Sequence, residues 1–297
     1  MPMNRAVTAW GILGAIAVLQ SGVRGFAQNT TTETIEPIAA MLTKLRDPSW
    51  ETRAEAFYEM VANGTASTWD GRTDLIPLRL ATLFRAHPDR EDAVKLALIE
   101  LLNTENAVVE AQGQEYKKSR KTLSETYTNY YGDVIAAVSG LNDPRALHAL
   151  VGAMGTGGMA DNGLARLGSD AVDPLVVKLQ SSDVIVRAAA VRALATLWQP
   201  KNRDKFNDDV SRRKIKEAFL KAAGDQDGGV RLAAVYGLAL MPNEDTIRLL
   251  KRLAASDPSR LPGKADEGGP FYPVRQAARR VLDQIARSGT SPTNNKR

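Results

Sequence analysis

The stretch Asp183–Leu197, which reads DVIVRAAAVRALATL, decides the fold of this chain. After Asp183 almost every residue is apolar, and two arginines, Arg187 and Arg192, lie within the run. Alanine and leucine favour a helix, and here apolar side chains would cover most of its circumference. A helix of that kind needs neighbours on several sides. The stretch therefore predicts a helix packed between other helices.

Three further stretches share an arginine that leads into a helix-forming segment: DPSWETRAEAFYEMVANG (Asp47–Gly64), DGGVRLAAVYGLAL (Asp227–Leu240) and PVRQAARRVLDQIA (Pro273–Ala286). The equivalent arginines are Arg53, Arg187, Arg231 and Arg275. The last three follow one another at intervals of 44 residues. A repeat of this length is typical of stacked helix pairs. Two intervening insertions lie near residues 199–209 and 256–272.

These repeated segments resemble HEAT repeats, close to the short variety found in phycobilin-lyase-like proteins. The partner helix of each pair reads like LGSDAVDPLVVKLQ (Leu167–Gln180), in which a proline lies in the first turn. The resemblance implies an all-α fold, an α-solenoid of about six to seven stacked antiparallel helix pairs. The composition agrees, because the 297 residues are 43% hydrophobic and only 6% aromatic, and they contain no run of period-two alternation.

The pattern predicts helices near residues 36–46, 48–62, 73–86, 89–103, 120–141, 144–154, 160–167, 170–180, 184–198, 208–223, 228–240, 243–255 and 273–288. Within the repeats we expect the acids to cap helices and the arginines to bond their own aspartate or to reach a neighbouring repeat. The residues expected to have this structural role are Asp47, Arg53, Asp183, Arg187, Asp227, Arg231 and Arg275.

Three segments depart from the repeat and are candidates for specificity: residues 105–131, 154–163 and 256–272. The first is long and polar, and it combines tyrosines with basic residues. Tyrosine provides a large contact area at low entropic cost. We therefore predict a partner-binding surface at Tyr116, Lys117, Lys118, Arg120, Lys121, Tyr127, Tyr130 and Tyr131.

The N-terminal 27 residues have the layout of a signal peptide. Arg5 precedes the uncharged run Ala6–Leu19, and Gly25 and Ala27 supply small residues before a cleavage site between Ala27 and Gln28. The alternative is an uncleaved membrane anchor. The predicted organisation is a signal peptide at 1–27, a flexible leader at 28–35, the repeat domain at 36–288 and a disordered tail at 289–297. An exported chain without cysteine must be held together by packing alone.

The sequence contains few of the residues and motifs that a catalytic or metal-binding site would need. There is no cysteine, and the two histidines, His87 and His148, are widely separated. The stretch GDQDGG (Gly224–Gly229) resembles a calcium loop but lacks its first and last acids. GTGG (Gly155–Gly158) has no lysine after it and no strand before it, unlike a phosphate loop. We predict no catalytic residue, cofactor or metal.

The predicted function is that of a non-enzymatic, periplasmic or secreted scaffold that binds a protein or peptide of unknown identity. The resemblance to phycobilin-lyase-like proteins leaves open an enzyme or an enzyme subunit. A nucleic-acid-binding helical-repeat protein is a third possibility, because a second basic cluster follows Lys201. The net charge of +5 falls to +3 without Arg5 and Arg24, and interleaved acids favour a solvated face over a nucleic-acid site.

Overall fold

The computed structural model describes residues 35–63, 72–119, 123–155, 158–206, 208–261 and 271–289. The predicted signal peptide and its cleavage site, and all but one residue each of the predicted leader and tail, lie outside these ranges. The boundaries predicted for those segments stay predictions.

The described residues form thirteen α-helices and no β-sheet: α1 (Ile35–Lys44), α2 (Trp50–Asn63), α3 (Ile76–Ala86), α4 (Glu91–Ser119), α5 (Glu125–Gly140), α6 (Leu147–Gly152), α7 (Met159–Leu167), α8 (Val172–Lys178), α9 (Val184–Leu197), α10 (Asp209–Ala222), α11 (Gly228–Ala239), α12 (Glu244–Ser256) and α13 (Pro273–Gly289). Each lies where the sequence pattern predicted a helix. The insertions contain a 3₁₀ segment, Pro200–Lys205, and one isolated bridge that joins Leu261 to Phe271.

The helices from α4 onward stack in two layers. Helices α5, α7, α9, α11 and α13 form one layer, in which each packs on the next. Helices α4, α6, α8, α10 and α12 each pack on the helix that follows them in the chain, and so lie behind that layer. This arrangement confirms the predicted all-α solenoid of stacked helix pairs.

The stretch around Arg187 is buried on nearly all sides, as its composition requires. Residues 187–191, 193, 194 and 197 of α9 are buried, and Ala190, Val191 and Leu194 are completely inaccessible. Helix α9 meets α8 behind it, α7 on one side and α11 on the other. A helix with three neighbours cannot confine its apolar residues to one stripe.

The predicted aspartate caps are present. The Asp183 carboxylate accepts a hydrogen bond from the Ile185 main-chain N–H at 2.8 Å. Asp227 accepts from Gly229 at 2.7 Å and from Val230 at 3.2 Å. Both satisfy amides that the first turn of a helix leaves without an intrahelical partner.

The arginines that follow these caps bind the next repeat rather than their own aspartate. Arg187 Nε donates to Asp225 at 2.9 Å, and its Nη1 donates to the carbonyl groups of Ser181 and Ser182. Arg231 repeats the geometry, with Nε donating to Asp257 at 2.6 Å and Nη1 to the carbonyl of Asp225 at 2.7 Å. The sequence left both partners open, and the structure selects the neighbouring repeat.

Arg275 continues this chain of contacts in an altered form. Its Nε donates to the main-chain carbonyl of Asp257 at 2.6 Å, and its guanidinium lies 4.2 Å from the centre of the Tyr272 ring. We call the series Arg187, Asp225, Arg231, Asp257 and Arg275 the arginine ladder. It connects three successive repeats by charged hydrogen bonds, which are stronger than neutral ones.

The ladder also sets the acidity of its two carboxyl groups. Hydrogen bonds from Arg187 are the main reason that the pKa of Asp225 is lowered from its ordinary value. For Asp257, burial raises the pKa, but bonds from Arg231 and Ser259 outweigh it, and the net pKa is lowered. Both groups therefore favour folding in their charged form.

Arg53 has the equivalent role near the N-terminal end. Its Nη1 donates to the carbonyls of Asp47 and Pro48, and its Nε donates to Glu105 at 2.6 Å. Asp47 in turn accepts from the Ser49 main-chain N–H just before α2. Because Glu105 lies on α4, this pair ties two helices together.

Helix α4 corrects the predicted map. It continues to Ser119 instead of ending near residue 103, and α5 begins at Glu125, where Ser124 is the N-cap, instead of near residue 120. The sequence after residue 103 is polar, and apolar periodicity alone therefore predicts that the helix ends there. One of its polar residues, Glu105, is completely buried and paired with Arg53, so the helix remains attached to the core there.

Candidate functional site

Tyr127, Tyr130 and Tyr131 do not form a partner-binding surface, and that part of the prediction is wrong. Their exposed fractions are only 3%, 1% and 4%. The hydroxyl groups of Tyr127 and Tyr130 donate to Glu105, at 2.5 and 3.1 Å. Tyr131 donates to Asn106 at 2.6 Å. The rings of Tyr127 and Tyr130 pack against aromatic residues of α2, and all three hydroxyls find acceptors on α4, so burial leaves none of them unsatisfied.

The other members of that predicted surface are Tyr116, Lys117, Lys118, Arg120 and Lys121. Tyr116, Lys117 and Lys118 lie on the last turns of α4, and Arg120 and Lys121 follow it. Their side chains lie outside the described part of the structure. A role for these five residues in binding a partner stays a prediction.

A different surface offers a better candidate site. Helices α7, α9, α11 and α13 border a groove of about 790 Å³, which we call the α7–α13 groove. Its lining residues are Gly155, Gly158, Asp161, Arg192, Ala195, Thr196, Gln199, Gly229, Leu232, Ala233, Tyr236, Ala239, Leu240 and Gln284. A groove of this volume is within the range of ordinary ligand sites.

The repeated small residues create the groove. Ala195 on α9 and Gly229, Ala233 and Ala239 on α11 are short, so they leave space between the ridges of neighbouring helices. Tyr236 is the large exception, and it is 54% exposed although most of the other residues of its helix are buried. The groove thus combines a shallow floor with one exposed aromatic ring.

Asp161 is the most unusual polar group in the groove. It lies in the first turn of α7, is only 7% exposed, and has a carboxylate oxygen, Oδ1, that is buried without a hydrogen-bond partner. Burial raises the pKa of this carboxyl above its ordinary value, and the charge of Arg192 opposes that shift only in part. Most buried polar atoms in proteins are hydrogen-bonded, so Asp161 is an exception that calls for a physical reason.

Arg192 supplies the positive charge of the same groove. It is exposed on α9, and within the described residues no acid lies within ion-pair distance of its guanidinium. Gln199 and Gln284 add uncharged donors and acceptors along the walls. The groove therefore contains a buried acidic group, Asp161, and a solvent-exposed positive charge, Arg192.

A second cavity of about 700 Å³ lies among α2, α4, α5 and α7. At its wall, Asp133 accepts hydrogen bonds from Thr73 at 2.5 Å and from Tyr58 at 2.9 Å. Burial raises the pKa of Asp133 despite these two bonds. Leu123, at the edge of the cavity, adjoins residues 120–122, which lie outside the described part of the chain. Asp133 already accepts two hydrogen bonds, whereas Asp161 has an oxygen that accepts none. The α7–α13 groove is therefore the stronger candidate for a binding site.

The remaining sequence candidates have structural settings. His87 ends α3, where its main-chain N–H donates to Leu83, and His148 is exposed on α6. In the second basic cluster, Arg203 lies over the Trp198 ring and donates to the carbonyl of Leu240 at 2.9 Å. Within the described residues, no group of three or more His, Cys, Asp or Glu side chains is arranged to hold a metal.

Comparison with known proteins supports the repeat assignment. Residues 172–261 match the family model described as HEAT repeats, which confirms the predicted resemblance over that part of the chain. No curated protein gives a significant match to the sequence. No helix among the residues described in the structure has the length and apolar character needed to cross a membrane.

Two solved structures illustrate the structural relatives of the chain. An engineered protein is 17% identical, with a TM-score of 0.41, and the match covers 84% of this chain and 98% of that one. A designed armadillo repeat protein in complex with the peptide (KR)4 is 15% identical, with a TM-score of 0.38, and the match covers 83% and 98%. Similarity at this level assigns no function to the chain.

Proposed function

We propose that this protein is an exported, non-enzymatic scaffold that holds a segment of a partner protein in the α7–α13 groove. The observation that carries the proposal is the groove itself, which crosses four successive helices of one layer. Helical repeats present extended surfaces of this kind because each unit adds the same face beside the previous one. The exposed Tyr236 ring provides the contact that most often dominates such interfaces.

The α7–α13 groove is open to solvent, and it takes the place of the tyrosine-rich segment as the proposed binding site. Ala195, Ala233 and Ala239 allow a main chain to approach the helices closely, and Leu232 and Tyr236 offer apolar contacts. Small residues beside one large aromatic ring suit an extended segment better than they suit a broad, flat partner.

Export is the second part of the proposal and depends on the N-terminal residues alone. The charged start, the uncharged run Ala6–Leu19 and the small residues before Gln28 support cleavage there. N-terminal sequencing of the protein from fractionated cells tests it. We expect a first residue of Gln28 in the soluble envelope fraction or in the medium, and an intact Met1 in the cytosol would refute export.

Binding in the groove is tested by site-specific photo-crosslinking in the cells that make the protein. A benzophenone amino acid replaces Tyr236 in one variant and Ile185 in the matched control. Both positions are exposed, at 54% and 65%, but Ile185 does not line the groove. We expect a discrete adduct from position 236 that is absent from position 185.

A second substitution tests whether blocking the groove prevents the crosslink. Ala195→Arg places a long side chain on α9 at a half-buried position among the lining residues. We expect this change to abolish the adduct formed from position 236, while circular dichroism shows an intact fold. Equal adducts from positions 236 and 185, or no adduct from either, would refute the proposed site.

A further inference from the structure

The environment of Asp161 indicates which kind of ligand the α7–α13 groove binds. Its Oδ1 atom is buried and accepts no hydrogen bond, although the residue lines an open groove. A buried acceptor without a donor costs about 1–3 kcal/mol, and a charged one costs more. A ligand in the groove that donates to the Asp161 carboxylate, which lines the groove, would recover part of that cost on binding.

The groove's own cation does not satisfy Asp161. The charge of Arg192 lowers the energy of the Asp161 carboxylate somewhat, but no hydrogen bond or ion pair joins the two side chains in the described structure. Arg192 is exposed, and water screens most of its effect. The described side chains of the groove therefore leave this carboxylate oxygen without a donor.

Among possible donors, a cationic side chain fits best. A hydrogen bond between a cation and a carboxylate is roughly twice as strong as a neutral one. The aliphatic stem of a lysine or arginine can pack along apolar surface while its charged end reaches an acceptor. Leu232 and Tyr236 provide such a surface in the same groove as Asp161.

On the basis of the proposed function, we infer that the α7–α13 groove selects a peptide segment with one basic side chain, which donates to Asp161. Arg192 limits the selection to a single basic residue, because a second cation nearby meets an unpaired positive charge. Asp161 then determines specificity, whereas Tyr236 contributes to affinity for any segment. The two roles can be separated by mutation.

The experiment compares pools of capped octapeptides labelled with a fluorophore. One central position is fixed as arginine, as citrulline, which is its uncharged isostere, or as glutamate, and the other positions mix Ala, Gly, Leu, Ser and Tyr. Affinity is measured by fluorescence anisotropy on residues 28–297. We expect the wild-type protein to bind the arginine pool about tenfold more tightly than the citrulline pool, in line with a charge-assisted bond.

Three variants separate the roles. Asp161→Asn should bind the arginine and citrulline pools equally, at the weaker affinity. Arg192→Gln should bind the arginine pool about two- to threefold more tightly, because a screened surface repulsion is removed. Tyr236→Ala should weaken binding of both pools by a similar factor. Thermal unfolding of each variant verifies that the fold is intact.

The failures of the inference and of the proposed function have different signatures. If the arginine and citrulline pools bind equally to the wild type, and Tyr236→Ala weakens both, the groove binds peptides but the inference about Asp161 is wrong. Tighter binding of the glutamate pool would also overturn the inference, since Arg192 would then be the anchor. If no pool binds, or if Tyr236→Ala changes nothing, the proposed function fails and the inference fails with it.

Discussion

At the scale of single residues, Glu100 and Glu105 illustrate how burial determines what an ion pair contributes. Both lie on α4 and both pair with an arginine, at 2.7 Å for Arg46–Glu100 and 2.6 Å for Arg53–Glu105. The first pair is more than half exposed, and the second is buried. Exposed pairs contribute little to stability, whereas loss of one partner of a buried pair leaves an uncompensated charge.

Glu105→Gln should therefore lower the free energy of unfolding by about 3 kcal/mol. The matched change Glu100→Gln should lower it by less than about 1 kcal/mol. Urea denaturation followed by circular dichroism measures both. Equal effects of the two substitutions would contradict the structural role assigned to the Arg53–Glu105 pair.

Asp161 should show the opposite behaviour, because it destabilises the fold in its charged form. Burial raises its folded-state pKa above the unfolded value of about 3.9. The folded state thus binds a proton more readily, and this group's contribution to stability falls as pH rises through that interval. Asp161→Asn removes the penalty and should raise Tm at pH 7 by about 2–4 °C, which is roughly 1 kcal/mol.

This gain should shrink as the pH is lowered toward the unfolded-state pKa of about 3.9, because the raised folded-state pKa means that the wild-type carboxyl takes up its proton before that point. Differential scanning calorimetry of both proteins across that range provides the measurement. Asp170→Asn, at an exposed position nearby, is the control and should leave Tm nearly unchanged at every pH. A stabilisation that does not depend on pH would show that charge burial is not its cause.

Some residue roles could be predicted from the sequence, and others could not. Asp183 and Asp227 were predictable as caps because a cap is a local feature. The burial of Tyr127, Tyr130 and Tyr131 was missed, although their spacing of three and four places them on one helix face. The unsatisfied oxygen of Asp161 has no signal in the sequence, because the lack of a donor depends on how distant helices pack.

At the scale of elements, Gly237 determines how closely α10 and α11 approach. A Cβ atom at this position would lie 2.5 Å from two carbons of the Phe219 ring, which is completely buried. A completely buried ring can move only by displacing the residues packed around it. The separation of this helix pair is therefore set by a residue without a side chain.

Gly237→Ala should lower the free energy of unfolding by about 1–3 kcal/mol through overpacking. Gly113→Ala is the matched control, because Gly113 is an exposed residue of α4 with nothing within 4 Å of the added methyl group. There alanine should raise the free energy of unfolding by about 0.5–1 kcal/mol. Chemical denaturation should thus show effects of opposite sign, and a shared sign would contradict the close contact at Phe219.

The positions of the elements were largely predictable, and the exception is informative. Thirteen helices lie where the periodic apolar residues indicated them. Helix α4 was predicted too short because polar contacts of Glu105 and Asn106 anchor it beyond residue 103, with Val108 and Val109 packed beside them. A pattern of hydrophobic residues cannot detect a helix that polar contacts hold in place.

At the scale of the whole molecule, each repeat touches mainly its neighbours, and the arginine ladder joins them in sequence. Stability in such an architecture is close to a sum of local terms. Breaking one connection near the C-terminal end should therefore loosen that end and leave the far end unchanged. Asp257 is a suitable point, since its side chain is only 1% exposed and accepts from Arg231.

Asp257→Asn should accelerate amide hydrogen exchange in α12 and α13 by about tenfold or more, with no change in α1 to α3. Asp245→Asn is the control, because Asp245 lies on α12 in an exposed pair with Arg248. It should alter exchange in neither region. Acceleration spread evenly over all helices would show that the protein unfolds as one cooperative unit.

The arginine ladder also defines where the protein could be shortened so that its hydrogen bonds are kept. Excision of Asp183–Gln226 would join Ser182 to Asp227, and the carbonyls of Ser181 and Ser182 would then lie six and five positions before Arg231. Those are the carbonyls that Arg187 now uses, while Asp257 would still follow Arg231. An excision of 44 residues between these equivalent positions should therefore leave the remaining arginine with the same set of main-chain acceptors.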